Sequence, residues 1–312
     1  MADSSESHPK QRSRGKSTAV HVPVLMREVL KYLDLQTNHL VVDGTVGAAG
    51  HSQQIVQRIG IEGLLIGLDR DPMMLQFAAE KLGDEPNHVL VHSSYSELPE
   101  VLESLNERVP NGQVDRILLD LGLSSDQLAD EERGFSFESD GALDLRFDTS
   151  VGEPAFELLR RLDAGRLEQI FRDYGEERFA RPIAERIAEK RGKALRTASD
   201  LTEVVSAALP QSVQKTARKH PATRVFQALR IAVNEELTHL DDALKQHLFD
   251  SLARGGRLVV ISFHSLEDRL VKQTFRGETW QNLTSKPITA SPKEQRMNPR
   301  SRTAKLRAAI KK

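Results

Sequence analysis

Cysteine is absent from the 312-residue chain. Disulfides, Cys-ligated zinc, iron–sulfur clusters and every reaction that passes through a thiol adduct are therefore excluded. Long apolar runs are also missing: none approaches 18 residues, and residues 1–20 hold no apolar stretch of the kind that a secretory signal needs. We therefore expect a cytoplasmic protein with no membrane partner.

Charge is almost balanced, with a net of −1 at pH 7, but it is unevenly distributed. Residues 267–312 contain 12 Lys and Arg against 4 Asp and Glu, and the stretch 97–153 is strongly acidic. A basic segment after a folded core often contacts phosphates, although a solvated charged end explains the charge equally well. Trp280 and the arginines near it favour RNA as the partner.

Short apolar runs alternate with helical patterns after residue 20, which predicts a parallel sheet covered by helices on both faces. Residues 1–20 are polar and basic and are predicted to be a disordered tail. The predicted strands are Leu40–Asp43, Leu64–Asp69, Val89–His92, Ile117–Leu121 and Arg257–Phe263. The helices predicted after the first three strands are His51–Ile59, Pro72–Leu82 and Leu98–Glu107.

The alternation stops between residues 129 and 217, where short amphipathic helices follow one another. We interpret this stretch as an all-helical domain for substrate recognition, inserted into an α/β domain formed by 21–128 and 218–312. The predicted helices are Ala155–Leu162, Arg166–Tyr174, Glu177–Arg191 and Ser199–Leu209, the last capped by Ser199 and ended by Pro210. A single helix, Ala222–Leu252, is predicted to lead back to the sheet.

The first strand runs into a glycine-rich turn over residues 43–51, in which Gly44, Gly47 and Gly50 follow a Gly-x-x-Gly-x-x-Gly spacing. The dinucleotide fingerprint requires Gly-x-Gly-x-x-Gly, so a nicotinamide cofactor is disfavoured. Asp69, at the end of the second strand, can accept two ribose hydroxyls, or it can simply cap the next helix. Together these features suggest S-adenosylmethionine, which has a ribose but no phosphate. Without cysteine the methyl acceptor is expected to be nitrogen or oxygen.

The fourth strand ends in Asp120, at the edge of the sheet where ligands bind in doubly wound folds. Its carboxylate can accept hydrogen bonds from an adenine or an acceptor amine, and a loop cap is the alternative. His264, Glu267 and Asp268 look like a metal cluster, but the spacing fits capping of a helix better, so no metal is predicted. The Gly15–Ser17 segment lacks the earlier glycine and the strand of a phosphate-binding loop.

At these residues the sequence resembles the ribosomal small-subunit methyltransferase H family, also called RsmH or MraW. The resemblance runs from His21 to the C-terminal end in ordered blocks. The blocks are His21–Leu25, Asp43–His51, Asp69–Pro72, Leu118–Gln127, Arg133–Phe137, Leu143–Arg146, Tyr174–Arg178, Lys219–Arg224, Ile261–Arg269 and Asn298–Arg302. Three positions depart from the family: Ala49 replaces the common Gly, and Asp126 and Ala142 replace the usual Pro.

The resemblance implies a Rossmann-like class I methyltransferase domain interrupted by a helical one, with S-adenosylmethionine as cofactor. The implied reaction is direct in-line transfer of a methyl group, without a covalent enzyme adduct, to N4 of a cytosine in the decoding region of 16S rRNA, cytosine-1402 in the usual rRNA numbering. The small ribosomal subunit is the implied partner. The cofactor site predicted from the turn and the family pattern consists of Gly47, Ala49, Gly50, His51, Asp69, Tyr95, Asp120 and Gln127.

An enzyme that methylates a base must take that base out of its stack and place it against apolar side chains. Phe135, Phe137 and Phe263 are candidates for this contact with the acceptor base, and packing in the protein core is the alternative for each. We predict that Asp120, His264 and Ser265 act in catalysis, the last two by orienting the cytosine. The predicted RNA contacts are Arg133, Arg146, Lys219, His220, Arg224, Arg300 and Arg302.

Two other functions fit the same residues. One is a methyltransferase of the same fold that acts on protein or a small molecule, and the other is a non-enzymatic ribosome-assembly factor with a vestigial cofactor pocket. The sequence leaves the oligomeric state open, a homodimer being one option.

Overall fold

The structure, a computed structural model, describes residues 23–137, 139–190, 195–216 and 220–312. The predicted tail at 1–20 and the predicted RNA contact Lys219 lie outside these ranges. Within them, no helix combines the length and the apolar character needed to cross a membrane.

Strands and helices alternate through the first 130 residues. The strands are β1 (Leu40–Asp43), β2 (Leu64–Asp69), β3 (His88–His92), β4 (Val114–Asp120), β5 (Leu252–Ser262), β6 (Trp280–Asn282) and β7 (Lys305–Lys311). The helices are α1 (Met26–Leu33), α2 (Gly50–Ile59), α3 (Pro72–Leu82), α4 (Leu98–Ser104), α5 (Ser125–Ala129), α6 (Ala155–Arg161), α7 (Ala164–Asp173), α8 (Ala180–Lys190), α9 (Ala198–Ala208), α10 (Gln211–Thr216), α11 (Thr223–Asn234), α12 (Glu236–Asp242), α13 (Leu248–Asp250), α14 (Ser265–Thr274) and α15 (Pro292–Met297).

The strands form one sheet in the order β3-β2-β1-β4-β5-β7-β6. Strands β1 to β5 are parallel, and β7 runs antiparallel to both β5 and β6. This order reverses at β1, which pairs with β2 on one side and β4 on the other, so the crevice for a ligand opens at the carboxyl ends of these strands. The predicted Rossmann-like α/β fold is confirmed.

Successive strand residues face opposite sides of the sheet, and each side has its own helices. Val41 and Leu65 pack with α1 and α2, whereas Val42 and Ile66 pack with α4 and α12 to α14. All four side chains are fully buried. Burial on both faces is why these strands read as unbroken apolar runs in the sequence.

The helices between α5 and α11 pack around a separate apolar cluster, which includes Leu167, Phe171 and Ile183. This cluster extends to Leu229 on α11, beyond the predicted boundary at 217. The N-cap of α9 lies two residues before the predicted one: it is Thr197, which exchanges hydrogen bonds with Asp200. The prediction of Ser199 as the cap was therefore wrong.

The long helix predicted over Ala222–Leu252 is broken. Glu235 adopts a left-handed conformation with φ of 50° and separates α11 from α12. At the break the Asn234 amide bonds to the backbone of the 144–148 loop, accepting from Phe147 N at 2.8 Å and donating to Leu145 O at 2.7 Å. Hydrogen bonds to a loop that is distant in the chain therefore take the place of the next helical turn. No pattern in the local sequence predicts this break.

Candidate active site

A cavity of about 580 Å³ opens at the carboxyl ends of the central strands. Most of the predicted cofactor residues line it, although Ala49 does not. The predicted residues in its wall are Gly47, Gly50, His51, Asp69, Tyr95, Asp120 and Gln127. Strand ends, the turn after β1 and the loop after β4 thus bring together side chains that are up to 80 positions apart in the chain.

The turn between β1 and α2 forms the floor of the cavity. Gly47 has a φ of 51°, in the region that favours glycine, and a Cβ on Gly50 would lie 2.7 Å from the Pro23 ring. Ala49 has a φ of 55°, which costs a non-glycine residue roughly 1–2 kcal/mol. Its methyl group is buried against Val46 and Ala78. The departure from glycine at position 49 therefore adds a methyl to the core and leaves the cavity wall unchanged.

Asp69 is oriented before any ligand binds. One carboxylate oxygen accepts from Gly47 N at 2.8 Å and the other from Asp71 N at 2.9 Å. Burial raises the pKa of Asp69 to about 6, although these two amide hydrogen bonds act in the opposite direction. Each oxygen keeps a second lone pair, so the carboxylate can still accept the two hydroxyls of a ribose.

His51 and Asp120 form a pair on the cavity wall with unused hydrogen-bonding atoms. His51 Nε2 lies 3.5 Å from Asp120 Oδ2. Both ring nitrogens of His51 and Oδ1 of Asp120 are buried without a hydrogen-bond partner. Asp120 is held in place by its own amide, which donates to Thr45 Oγ1 at 2.6 Å. Because buried polar atoms are nearly always paired, this pair indicates that a polar ligand group belongs here.

Gln127 supports the cavity wall through a buried network. Its side-chain amide donates to Asp71 at 2.8 Å and its carbonyl oxygen accepts from Ser124 N at 2.9 Å. Asp71 also accepts from Arg133 at 2.6 Å and caps α3. Arg133, predicted to contact an RNA phosphate, is buried and paired with Asp71 and Asp130. The structure gives it this structural role in place of a phosphate contact.

His264 and Ser265, predicted to orient the cytosine, do not line the cavity. His264 caps α14 by accepting from Glu267 N, and the Ser265 hydroxyl donates to Glu176 on the loop between α7 and α8. The first role is the capping function predicted from the spacing. The second ties the helical part of the chain to the sheet, so a catalytic role for these two residues is not supported by their positions.

The break after α11 brings Glu236 to the cavity, near His264 and Glu267. The side-chain atoms of these three residues that could bind a metal ion lie within 4.8 Å of one another. Both carboxylates already have partners. Glu236 accepts two bonds from Arg230 at 2.7 and 2.8 Å, and Glu267 accepts from Phe263 N at 2.8 Å. Since Nδ1 of His264 accepts from a backbone amide, the neutral ring carries its proton on Nε2 and offers no lone pair to a metal. We therefore assign the trio a structural role.

A sequence model of the MraW methylase family matches residues 18–312, which is nearly the whole chain. The chain belongs to the MraW methylase family. Membership in a methylase family agrees with the cavity described above and with the prediction of S-adenosylmethionine as the methyl donor.

Individual relatives in the MraW family cover most of the chain. The ribosomal RNA small subunit methyltransferase H of Trichlorobacter lovleyi is 43% identical over 314 residues, which span 93% of this chain and 98% of the relative. The protein of the same name from Nitrosospira multiformis is 47% identical over 257 residues, 82% of this chain and 79% of the relative. Among solved structures, an rRNA methylase from Streptococcus thermophilus covers 94% of this chain and 99% of its own, with 10% identity and a TM-score of 0.39. That structural similarity is too low to bear on function.

The other residues predicted to bind RNA in this MraW family member have different surroundings. Arg146 is largely buried and makes a two-pronged ion pair with Asp144. Arg224 donates to the Glu176 carbonyl, and the His220 ring stacks on Phe137 at 4.5 Å between centroids. Arg302 is exposed. Only Arg302 therefore presents its charge without a described partner.

Arg300 belongs to the cavity wall. Its guanidinium donates to Ser125 Oγ and to the Leu123 carbonyl, which fastens the segment after α15 to the loop after β4.

Of the three phenylalanines proposed to contact the acceptor base, Phe263 lines the cavity, whereas Phe135 and Phe137 belong to the helical cluster. Phe147, not predicted, also lines the cavity.

Sequence reasoning missed several lining residues, among them Thr45, Arg70 and Glu236. Thr45 lies in the predicted glycine-rich turn and Arg70 follows Asp69, so proximity in the chain could have suggested both. Glu236 gave no signal, because it lies within what reads as one continuous helix.

Proposed function

We propose that this chain transfers a methyl group from S-adenosylmethionine to N4 of a cytosine in the decoding region of 16S rRNA, cytosine-1402 in the usual rRNA numbering. Two relatives that each span most of the chain carry the name ribosomal RNA small subunit methyltransferase H. Their names support rRNA of the small subunit as the substrate. The base and the atom rest on the resemblance and on the chemistry of the cavity.

The cavity wall suits this donor. Asp69 offers two carboxylate oxygens to a ribose, and the backbone at Gly47 and Gly50 leaves room for close approach. Bound S-adenosylmethionine supplies an electrophilic methyl group on a sulfonium, so the protein needs only to place the acceptor in line and exclude water.

The single observation that carries the proposal is the unpartnered pair of His51 and Asp120 on the cavity wall. The exocyclic amine of cytosine is a poor nucleophile, because its lone pair is delocalised into the ring. An N–H of that amine donating to Asp120 Oδ1 helps the nitrogen to rehybridise. As the nitrogen bonds to the methyl carbon, the carbon–sulfur bond breaks and its electron pair stays on sulfur. The N–H proton passes to Asp120, and His51 lies close enough to stabilise or receive it.

The test supplies the protein with labelled S-adenosylmethionine and small subunits that lack the modification, and then maps modified nucleosides by mass spectrometry. We expect one N4-methylated cytosine per subunit. For Asp120→Asn we expect a fall in turnover of about a hundredfold, the low end for loss of a general base. Labelled methyl groups on protein or on a small molecule would favour a methyltransferase with a different substrate. No binding of S-adenosylmethionine by calorimetry would favour the non-enzymatic assembly factor.

A further inference from the structure

Met297 ends α15 with a side chain that is 74% exposed, the most exposed of the large hydrophobic residues in the described ranges. It nevertheless lies in the wall of the cavity, together with the next three residues up to Arg300. An isolated exposed apolar side chain is ordinary on a protein surface. One that stands at the mouth of the ligand cavity is suited to contact whatever enters.

The surface around Met297 is basic and uncompensated. Lys293, Arg296 and Arg302 are exposed, and no ion pair among the described residues involves them. The acidic residue of this stretch, Glu294, is turned inward and accepts from Leu25 N at 2.7 Å. Three exposed cations therefore flank Met297 in the chain, two on α15 and one in the turn that follows it.

Several arginines of the helical part have surroundings of a different kind. Each of five exposed or half-exposed arginines on α6, α7 and α8 or beside them pairs with a glutamate. The pairs are Arg160–Glu157, Arg161–Glu153, Arg172–Glu168, Arg181–Glu185 and Arg186–Glu189. The charge of these five arginines is balanced locally, whereas Lys293, Arg296 and Arg302 have no such partner among the described residues.

From this arrangement we infer that α15 is a docking surface for single-stranded RNA, on which Met297 stacks against the nucleobase next to the target base. Lys293, Arg296 and Arg302 neutralise the flanking phosphates. The inference rests on the proposed function, since it requires a base to enter the cavity. An enzyme that acts on a base edge takes that base out of the stack, and methionine is among the apolar side chains that occupy disrupted base steps. Its polarisable sulfur suits contact with a ring face.

The first test compares Met297→Ala with Ile61→Ala, since Ile61 is 64% exposed but lies before β2, at the opposite end of the strands from the cavity. We expect Met297→Ala to raise the KM for unmethylated small subunits about fivefold, at the low end of base stacking, with kcat and the Kd of S-adenosylmethionine unchanged. Met297→Phe should restore the KM. A KM for Met297→Ala equal to that of Ile61→Ala would overturn the inference.

The second test measures binding of small subunits against salt concentration. Arg296→Gln should lower the slope of log K against log salt by about 1, whereas Arg186→Gln, which removes a paired cation, should leave it unchanged. Equal slopes for the two variants would contradict the phosphate contact. Sedimentation adds a third outcome: a dimer that Met297→Ala dissociates would assign this surface to a second copy of the chain.

Wild-type protein in the same assays separates the two proposals. If it methylates subunits and Met297→Ala matches its control, the docking surface alone is wrong. If it does not methylate them, the proposed function fails and the docking surface fails with it.

Discussion

Asp69 shows how a single side chain can be prepared for a ligand. Two backbone amides fix its carboxylate, at 2.8 and 2.9 Å, and leave it facing the cavity. The amides hold the rotamer, so little side-chain freedom remains to be lost on binding. An acceptor that is already in position contributes most of its hydrogen-bond energy to affinity.

We therefore expect Asp69→Ala to raise the Kd of S-adenosylmethionine about tenfold or more, because charge-assisted hydrogen bonds of roughly 1.5–3 kcal/mol are lost. Isothermal calorimetry measures this directly. Asp163→Ala, which removes an aspartate that caps α7 far from the cavity, is the control and should bind the donor normally. An unaltered Kd for Asp69→Ala would remove this residue from the ribose.

The same carboxyl predicts a dependence on pH. Burial raises its pKa to about 6 in the ligand-free protein, so it becomes neutral as the pH falls below that value. Hydroxyl donors bind the ionised form, and donor affinity should therefore fall between pH 7 and 5, by at most about tenfold per pH unit. Folding stability should change in the opposite direction, since a raised acid pKa favours the folded state at low pH and this contribution is lost as the pH rises through 6.

Calorimetry over that pH range, with Asp69→Asn as the comparison, checks the assignment. The variant should show a flatter profile than the wild type. A wild-type affinity that stays constant from pH 5 to 7 would mean that another group sets the donor site.

At the scale of elements, Arg133 links the start of the helical part to α3. Its guanidinium bonds to Asp71, the N-cap of α3, and to Asp130, and also to the Phe147 carbonyl at 3.2 Å. Removing one partner of a buried ion pair leaves the other charge uncompensated. Loss of the Arg133 side chain should therefore lower the free energy of unfolding.

Arg133→Gln should lower the free energy of unfolding by about 3–5 kcal/mol. The exposed pair of Arg186 with Glu189 provides the control, since Arg186→Gln should cost less than about 1 kcal/mol. Urea unfolding followed by circular dichroism measures both. If the two variants were equally stable, Arg133 would be free for the RNA contact predicted from the sequence.

Elements with local signals were predictable to the residue. The bounds of β1, β2 and α3 match the prediction, since each strand is an apolar run closed by Asp, and α3 starts at Pro72 after a capping Asp71. β7 was missed because its basic residues suggested an RNA-binding tail. Arg307 in its centre is buried, which becomes tolerable only through an ion pair with Asp268 on α14, 39 positions earlier.

The candidate site likewise contains some residues that the sequence predicts and others that it does not. Strand ends and glycine turns carry their signal within a few residues, and they led to Gly47, Asp69 and Asp120. The entry of Glu236 into the cavity, and the capping positions of His264 and Ser265, depend on how distant elements meet. A pattern in a single sequence does not contain that information.

The whole molecule consists of a sheet domain and a helical cluster with separate cores, so the contacts between them set the shape of the cavity. Asn234, which is buried, makes several of these contacts. Its amide bonds to the backbone of Leu145 and Phe147, while its own carbonyl accepts from Arg70 at 2.7 Å. Leu145 has a φ of 62°, a strained conformation for leucine that the surrounding bonds must maintain.

Asn234→Ala leaves the Leu145 carbonyl and the Phe147 amide without their buried partner, at about 1–3 kcal/mol each. The 144–148 loop can then relax, so amide exchange at Phe147 should accelerate about tenfold or more, while β1 and β4 keep their protection. Because Phe147 lines the cavity, the KM for small subunits should rise with this loosening. Asn87→Ala is the matched control: that buried amide bonds to the Gly60 carbonyl at the far end of the sheet, and its loss should accelerate exchange only there. Equal protection of the 144–148 loop in both variants would show that the helical cluster is held against the sheet by its other contacts, such as those of Glu176 with Ser265 and Arg269.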